Sequence, residues 1–276
     1  MSPSPEFARP PVEEVALSVQ FAPLAAMTTA KVARYWEGVR ARFPTWNEAP
    51  PVDAAMEIFG APSPALSRFA FSLQGGVVPH RALFVDALGS ELVQVQRDRF
   101  VRNWRRAPGA SDYPRYGVLR DRFTSDLTAF QAFLAHEGVG VPEVNQCEVT
   151  YVNHIPAEGW QRHGQLARVL NTISKDVSDQ FLPEPETAEA TFRYVFNWPG
   201  TKEAAGRLHV VAKPVHRLAD GSPLFAITLT ARGRPRGSDV DEVLAWMDVA
   251  HDFLVRGFAS MTTAEMHETW GRLDVH

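Results

Sequence analysis

Apolar and polar positions alternate along much of this chain, in short stretches separated by runs with helical spacing. VEEVALSVQF (12–21) predicts a strand with Val15, Leu17, Val19 and Phe21 on one face. Thr28 and Thr29 can cap a helix whose apolar positions are Val32, Tyr35, Trp36, Val39 and Phe43. Pro44, then Pro50 and Pro51, stop it. Residues 53–80 have no clear period, and RFAFSLQ (68–74) is the best strand within them. A meander follows at 82–87, 91–96 and 99–105, with turns at Leu88-Gly89-Ser90 and Arg97-Asp98. The helix expected from about Pro114 to His136 buries Leu119, Phe123, Leu127, Phe130 and Leu134.

The order then recurs. NQCEVTYVNHI (145–155) is a strand and QLARVLNTI (165–173) a helix. Strands follow at 190–198, 207–217 and 223–232, with a turn at Asp220-Gly221 between the last two. A long helix runs from about Asp239 to Ala259, and Thr262-Thr263 caps a final turn that ends at Gly271. The expected fold is α+β, with a flexible N-terminus (1–11) and two structurally similar halves, 12–140 and 141–276. Each half reads strand, helix, antiparallel meander, long helix, with the helices on one side of a curved sheet. Residue-level identity between the halves is low, so the expectation is a structural duplication and not a sequence repeat.

TFRYVFNW (191–198) places Phe192, Tyr194, Phe196 and Trp198 on one face of a strand. Three roles are open to them: core, cavity wall or exposed stacking platform. Core is expected, because the helix at 239–259 needs an apolar partner and each buried side chain contributes roughly 1.5–3 kcal/mol. The opposite face then carries Arg193, Val195 and Asn197; Arg207, His209, Val211 and Lys213; and Thr228, Thr230 and Arg232. In the first meander Val93, Val95 and Val101 are assigned to the core face. Gln94, Gln96, Phe100, Arg102, Trp104 and Arg106 are assigned to the other.

Charge sharpens this picture. The net charge is −4, yet the proposed outer face is basic. Acidic residues gather elsewhere, among them Glu48, Asp53, Glu57, Glu184, Glu186, Glu189 and Asp248. Such segregation points to an acidic partner. Catalytic patterns are missing: there is no G-x-S-x-G elbow, no phosphate-cradling glycine motif and no metal-ligand spacing among the histidines. No cofactor or metal is therefore expected, and no constellation argues for an enzyme. Cys147 is the one cysteine and reads as a buried thiol. MSPSPEFARPP is no signal peptide, and no window approaches the ~20 apolar residues of a membrane span. A cytoplasmic protein without membrane contact is expected.

Four ordered blocks carry a family resemblance: PPVEEVALSVQFAPL, VQVQRDRFVRNWRR with YPRY, EVTYVNHI, and AHDFLVRGFASMTTAEMHETWGRL. Together they resemble a sporadically distributed, uncharacterised bacterial protein family of similar length, across essentially the whole chain. The resemblance brings no activity, catalytic residue or cofactor. Its patchy distribution is typical of mobile or defence-related loci. It marks Arg102, Asn103, Trp104, Tyr113, Pro114, Tyr151, Asn153, Trp270 and Gly271 as family-pattern positions. The duplicated order is also reminiscent of saddle-shaped proteins related to the TATA-binding fold. The leading expectation is a non-enzymatic binding or adaptor module for an acidic protein. Its candidate contacts are Arg102, Trp104, Arg106, Arg193, Arg207, His209, Lys213 and Arg232. The alternatives are nucleic acid on the same face, or a helix-grip-type small-ligand protein or enzyme.

Overall fold

The computed structural model describes residues 4–60, 81–110, 112–173 and 181–273. The strand expected at 68–74 lies outside them. Among the described residues nine strands form one open antiparallel sheet: β1 (Val12–Phe21), β2 (Thr45–Ala49), β3 (Arg81–Val85), β4 (Glu91–Gln96), β5 (Arg99–Arg105), β6 (Val144–Pro156), β7 (Ala190–Asn197), β8 (Ala204–His216) and β9 (Pro223–Gly233). Their spatial order is β2-β3-β4-β5-β1-β6-β9-β8-β7. The last strand of each meander returns beside an earlier strand: β5 pairs with β1, and β9 with β6. The β1–β6 ladder joins the two spans into one sheet.

Among the described residues four α-helices accompany it: α1 (Thr29–Val39), α2 (Arg115–His136), α3 (Val240–Met261) and α4 (Ala264–Trp270). α2 buries the expected stripe, Leu119 to Leu134, and Phe130 stacks on Phe100 of β5 at 5.0 Å. α3 is capped by the Asp239 carboxylate, which accepts from the Glu242 N–H at 2.9 Å; Asp241 and Glu242 add favourable charge to the first turn. Thr263 caps α4, and Gly271 ends it with φ 65°, a conformation that favours glycine. Among the described residues no helix is long and apolar enough to cross a membrane.

Register fixes the faces and corrects one expectation. The two-residue turn at Arg97-Asp98 pairs Gln96 with Arg99, so odd-numbered residues of β4 face the same way as even-numbered residues of β5. Val93 and Val95 therefore share a face with Arg102 and Phe100, not with Val101. β1 continues the row, because Val15, Leu17 and Val19 lie opposite Trp104, Arg102 and Phe100. Arg102 and Trp104 thus belong to the face packed against α2, and both are buried. Arg102 pairs there with Asp126 of α2 at 2.8 Å and with Glu91, which also pairs with Arg122.

Two further expectations change. The helix expected at 165–173 is a single 3-10 turn, Leu166–Arg168. Its apolar residues Leu166, Val169 and Leu170 are buried as the spacing implied, but the backbone beyond is recruited by the end of α3. The Asn171 N–H donates to Met261 O, and Thr263 N–H to Val169 O, both in place of helical bonds. β2 adds to the expected elements; TWNEA has no alternation, and only pairing with β3 makes it an edge strand.

The TFRYVFNW quartet divides. Phe196 and Trp198 are buried, and Phe196 stacks on Phe253 of α3 at 4.9 Å. Phe192 is half-buried and Tyr194 is 38 % exposed; the two rings stack on each other at 6.3 Å. β7 is the sheet edge, and α3 meets it at Phe196.

If Arg102 serves the fold, Arg102→Ala leaves the buried Asp126 carboxylate with Arg42 as its remaining cationic partner. We expect it to lower stability by about 1.5–3 kcal/mol in equilibrium urea unfolding. A loss below about 1 kcal/mol would show that the pair is dispensable.

Candidate functional site

The face opposite α2 and α3 is built from the polar positions of the same strands. Arg193 of β7, His209 of β8 and Thr230 of β9 lie in one cross-strand row. Arg207 and Arg232 form the next pair, and Arg232 continues to Glu148 of β6. Thr150 and Thr230 bond hydroxyl to hydroxyl at 3.0 Å. Of the eight residues predicted for this face, Arg193, Arg207, His209, Lys213 and Arg232 come together on it. Arg102 and Trp104 do not, as described above. Arg106 follows the end of β5, where it pairs with Glu13 and Asp112.

Residues 50–60 cross this face. Gln96 of β4 donates to Val52 O and accepts from the Val52 N–H, both at 2.9 Å. Arg99 of β5 donates to Asp53 O at 3.1 Å. Gln20 of β1 accepts from the Ala55 N–H at 2.8 Å, and Gln146 of β6 from the Glu57 N–H at 3.4 Å. Arg207 of β8 donates to Ile58 O at 3.1 Å. The contacts therefore span β4, β5, β1, β6, β9 and β8, a width of about 24 Å at ~4.8 Å per strand spacing. Six steps from Val52 to Ile58 reach about 20 Å when extended and only about 9 Å as a helix. The segment is therefore close to full extension and runs across the strands.

Such a crossing cannot join a β-ladder, yet its backbone groups need partners. The side chains of Gln20, Gln96, Gln146 and Arg99 supply them, which explains four buried polar residues in the middle of a sheet. At the far end the Glu57 carboxylate lies between Arg207, Arg232 and His209. Arg207 bonds Oε2, and Arg232 is 3.7 Å from Oε1. His209 Nε2 is 2.6 Å from Oε1 and donates, since a carboxylate only accepts. Glu148 holds Arg232 from the other side at 2.6 Å. The Arg207 guanidinium also lies 5.2 Å from the Phe59 ring centroid. Burial pushes the Glu57 carboxyl up. The hydrogen bond and charge of His209, with Arg207 and Arg232, outweigh it and hold the group below its ordinary value.

Sequence reasoning placed Glu57 among acidic residues remote from this face. The signal for it is weak, since 53–60 has no period. The stronger signal is the set of amides and Arg99 at inner strand positions, where a merely solvated face has no need of burial.

Glu57→Gln removes the charge while keeping the shape. We expect a loss of about 1–2 kcal/mol at pH 7 by chemical denaturation. Because the folded carboxyl titrates below its unfolded value of 4.5, its contribution is whole above that pH and is lost as pH falls through the lower folded value. Parent and variant should therefore converge in stability on acidification; a gap that persists undiminished would count against the clamp. No family model, curated protein or solved structure matches this chain.

Proposed function

We propose that this chain is a non-enzymatic binding or adaptor module. Its open sheet face accepts an extended acidic segment of a protein partner in exchange for its own residues 50–60. What supports the reading is the seating of Glu57 between Arg207, His209 and Arg232, with the preceding backbone held by Gln20, Gln96 and Arg99. The face is thus equipped both for main-chain groups and for one carboxylate. Clamping by bidentate-capable arginine favours carboxylate recognition over a diffuse basic field. The same ion pairs argue against nucleic acid, which needs unneutralised cations to displace counterions. In this reading the two halves are duplicated units with their long helices on one side, which leaves a single continuous face for the segment.

The chain's own segment competes at an effective concentration in the millimolar range, about that of a short tether. Exchange is therefore best seen once the segment is weakened. The test uses a labelled peptide of sequence PPVDAAMEIFG, titrated into the parent chain and into Glu57→Gln. The variant should bind the peptide at least about tenfold more tightly than the parent. Arg207→Glu in the same background should abolish binding, and a peptide with its glutamate replaced by glutamine should bind more weakly. Absence of saturable binding in both chains, or indifference to the peptide's glutamate, would overturn the proposal.

A further inference from the structure

On the helix side of the sheet, a cavity of about 390 Å³ lies between the N-terminal segment, β6, the start of α2 and α3. One wall is apolar and includes Phe7, Pro11, Val12, Leu254 and Phe258. The other carries a chain of hydrogen-bonding groups. Tyr113 and Tyr151 lie hydroxyl to hydroxyl at 3.1 Å, and Tyr151 lies 3.1 Å from His251 Nδ1. Tyr116 stacks flat on the His251 ring at 3.8 Å and donates to Asp248 at 2.8 Å. Burial raises the Tyr113 phenol to about 12 and pushes Tyr151 well up, while it lowers His251 to about 4. At neutral pH this wall is therefore uncharged; it can hold a polar group and cannot balance a cation.

Among the described residues Arg115 is the one arginine or lysine on the lining. Its guanidinium donates to Phe7 O at 3.0 Å and lies 5.8 Å from the Tyr113 ring centroid. Among the described residues no carboxylate pairs with it, and Glu6, also on the lining, is itself partnered. Of the guanidinium's five N–H donors, several remain for a ligand. Arg115 is also the one non-glycine residue with positive φ (72°) among those described. A long side chain is held there against steric strain, a condition found where position matters to function.

We infer that this cavity is a binding site for a small organic carboxylate. The anion is held by Arg115, the apolar body lies on Phe7, Pro11 and Phe258, and the Tyr113–Tyr151–His251 chain receives any hydrogen-bonding group at the far end. The site is separate from the face crossed by residues 50–60.

Calorimetric titration of the full chain tests this with hexanoate and benzoate against their uncharged amides, hexanamide and benzamide. At least one acid should bind saturably, and its amide at least about tenfold more weakly. Arg115→Gln should bring the acid down to the level of the amide and leave the amide unchanged, with thermal unfolding confirming that the variant is folded. Arg115→Lys, which keeps the charge, should restore part of the difference. No saturable binding of either acid, equal binding of acid and amide, or an Arg115→Gln chain that binds the acid like the parent would each overturn the inference.

Discussion

The pairing of β1 with β5 on one side and β6 on the other sets both faces of the sheet. Side chains alternate with period two, so a slip of one residue would exchange every buried position for a polar one. The observed register puts Val15, Leu17 and Val19 in line with Phe100, Arg102 and Trp104 on one flank, and with Cys147, Val149 and Tyr151 on the other. The same row runs on through Ala231, Leu208 and Leu229. Everything under α2 and α3 rests on that row. Every side chain on the opposite face belongs to its complement.

That complement is not an ordinary solvated surface. A chain laid across strands forfeits the ladder bonds that a parallel or antiparallel neighbour would receive, so its backbone must be met by side chains. Amides suit this because each offers both a donor and an acceptor, as Gln96 does to Val52. The arginines then do locally what the net charge of −4 does not suggest globally. Arg207 and Arg232 act on one carboxylate each side of a short path, Glu57 and Glu148, and produce a clamp with little residual field. Part of the basic character visible in composition is thus consumed within the molecule, both here and at Arg102 beneath α2.

Much of this was legible from residue order. The stripe of α2, the apolar face of β1 and the basic set on β7, β8 and β9 follow from local periods of 3.6 and 2, which need no tertiary information. What local pattern missed has a common cause. The sense of the β4–β5 hairpin depends on which two residues pair across its turn, and that decision moved Phe100, Arg102 and Trp104 to the buried side. β2 exists only because β3 offers it an edge, and Leu166–Arg168 stops at one turn because α3 claims the following backbone. Glu57 has no pattern at all, since a segment that crosses strands makes contacts at no fixed period.

By itself, then, the sequence determined most of the elements, the α+β class and the presence of two chemically distinct sheet faces. Alternation and capping act over a few residues and are written in them. The tertiary structure alone decided which arginines face outward, that residues 50–60 fill the polar face, and that Tyr113, Tyr151, His251 and Arg115 meet around one cavity. Those arrangements join residues 150 or more positions apart, as in the Arg207–Glu57 pair. Contacts at such separations are set by strand order and register, which no local period encodes.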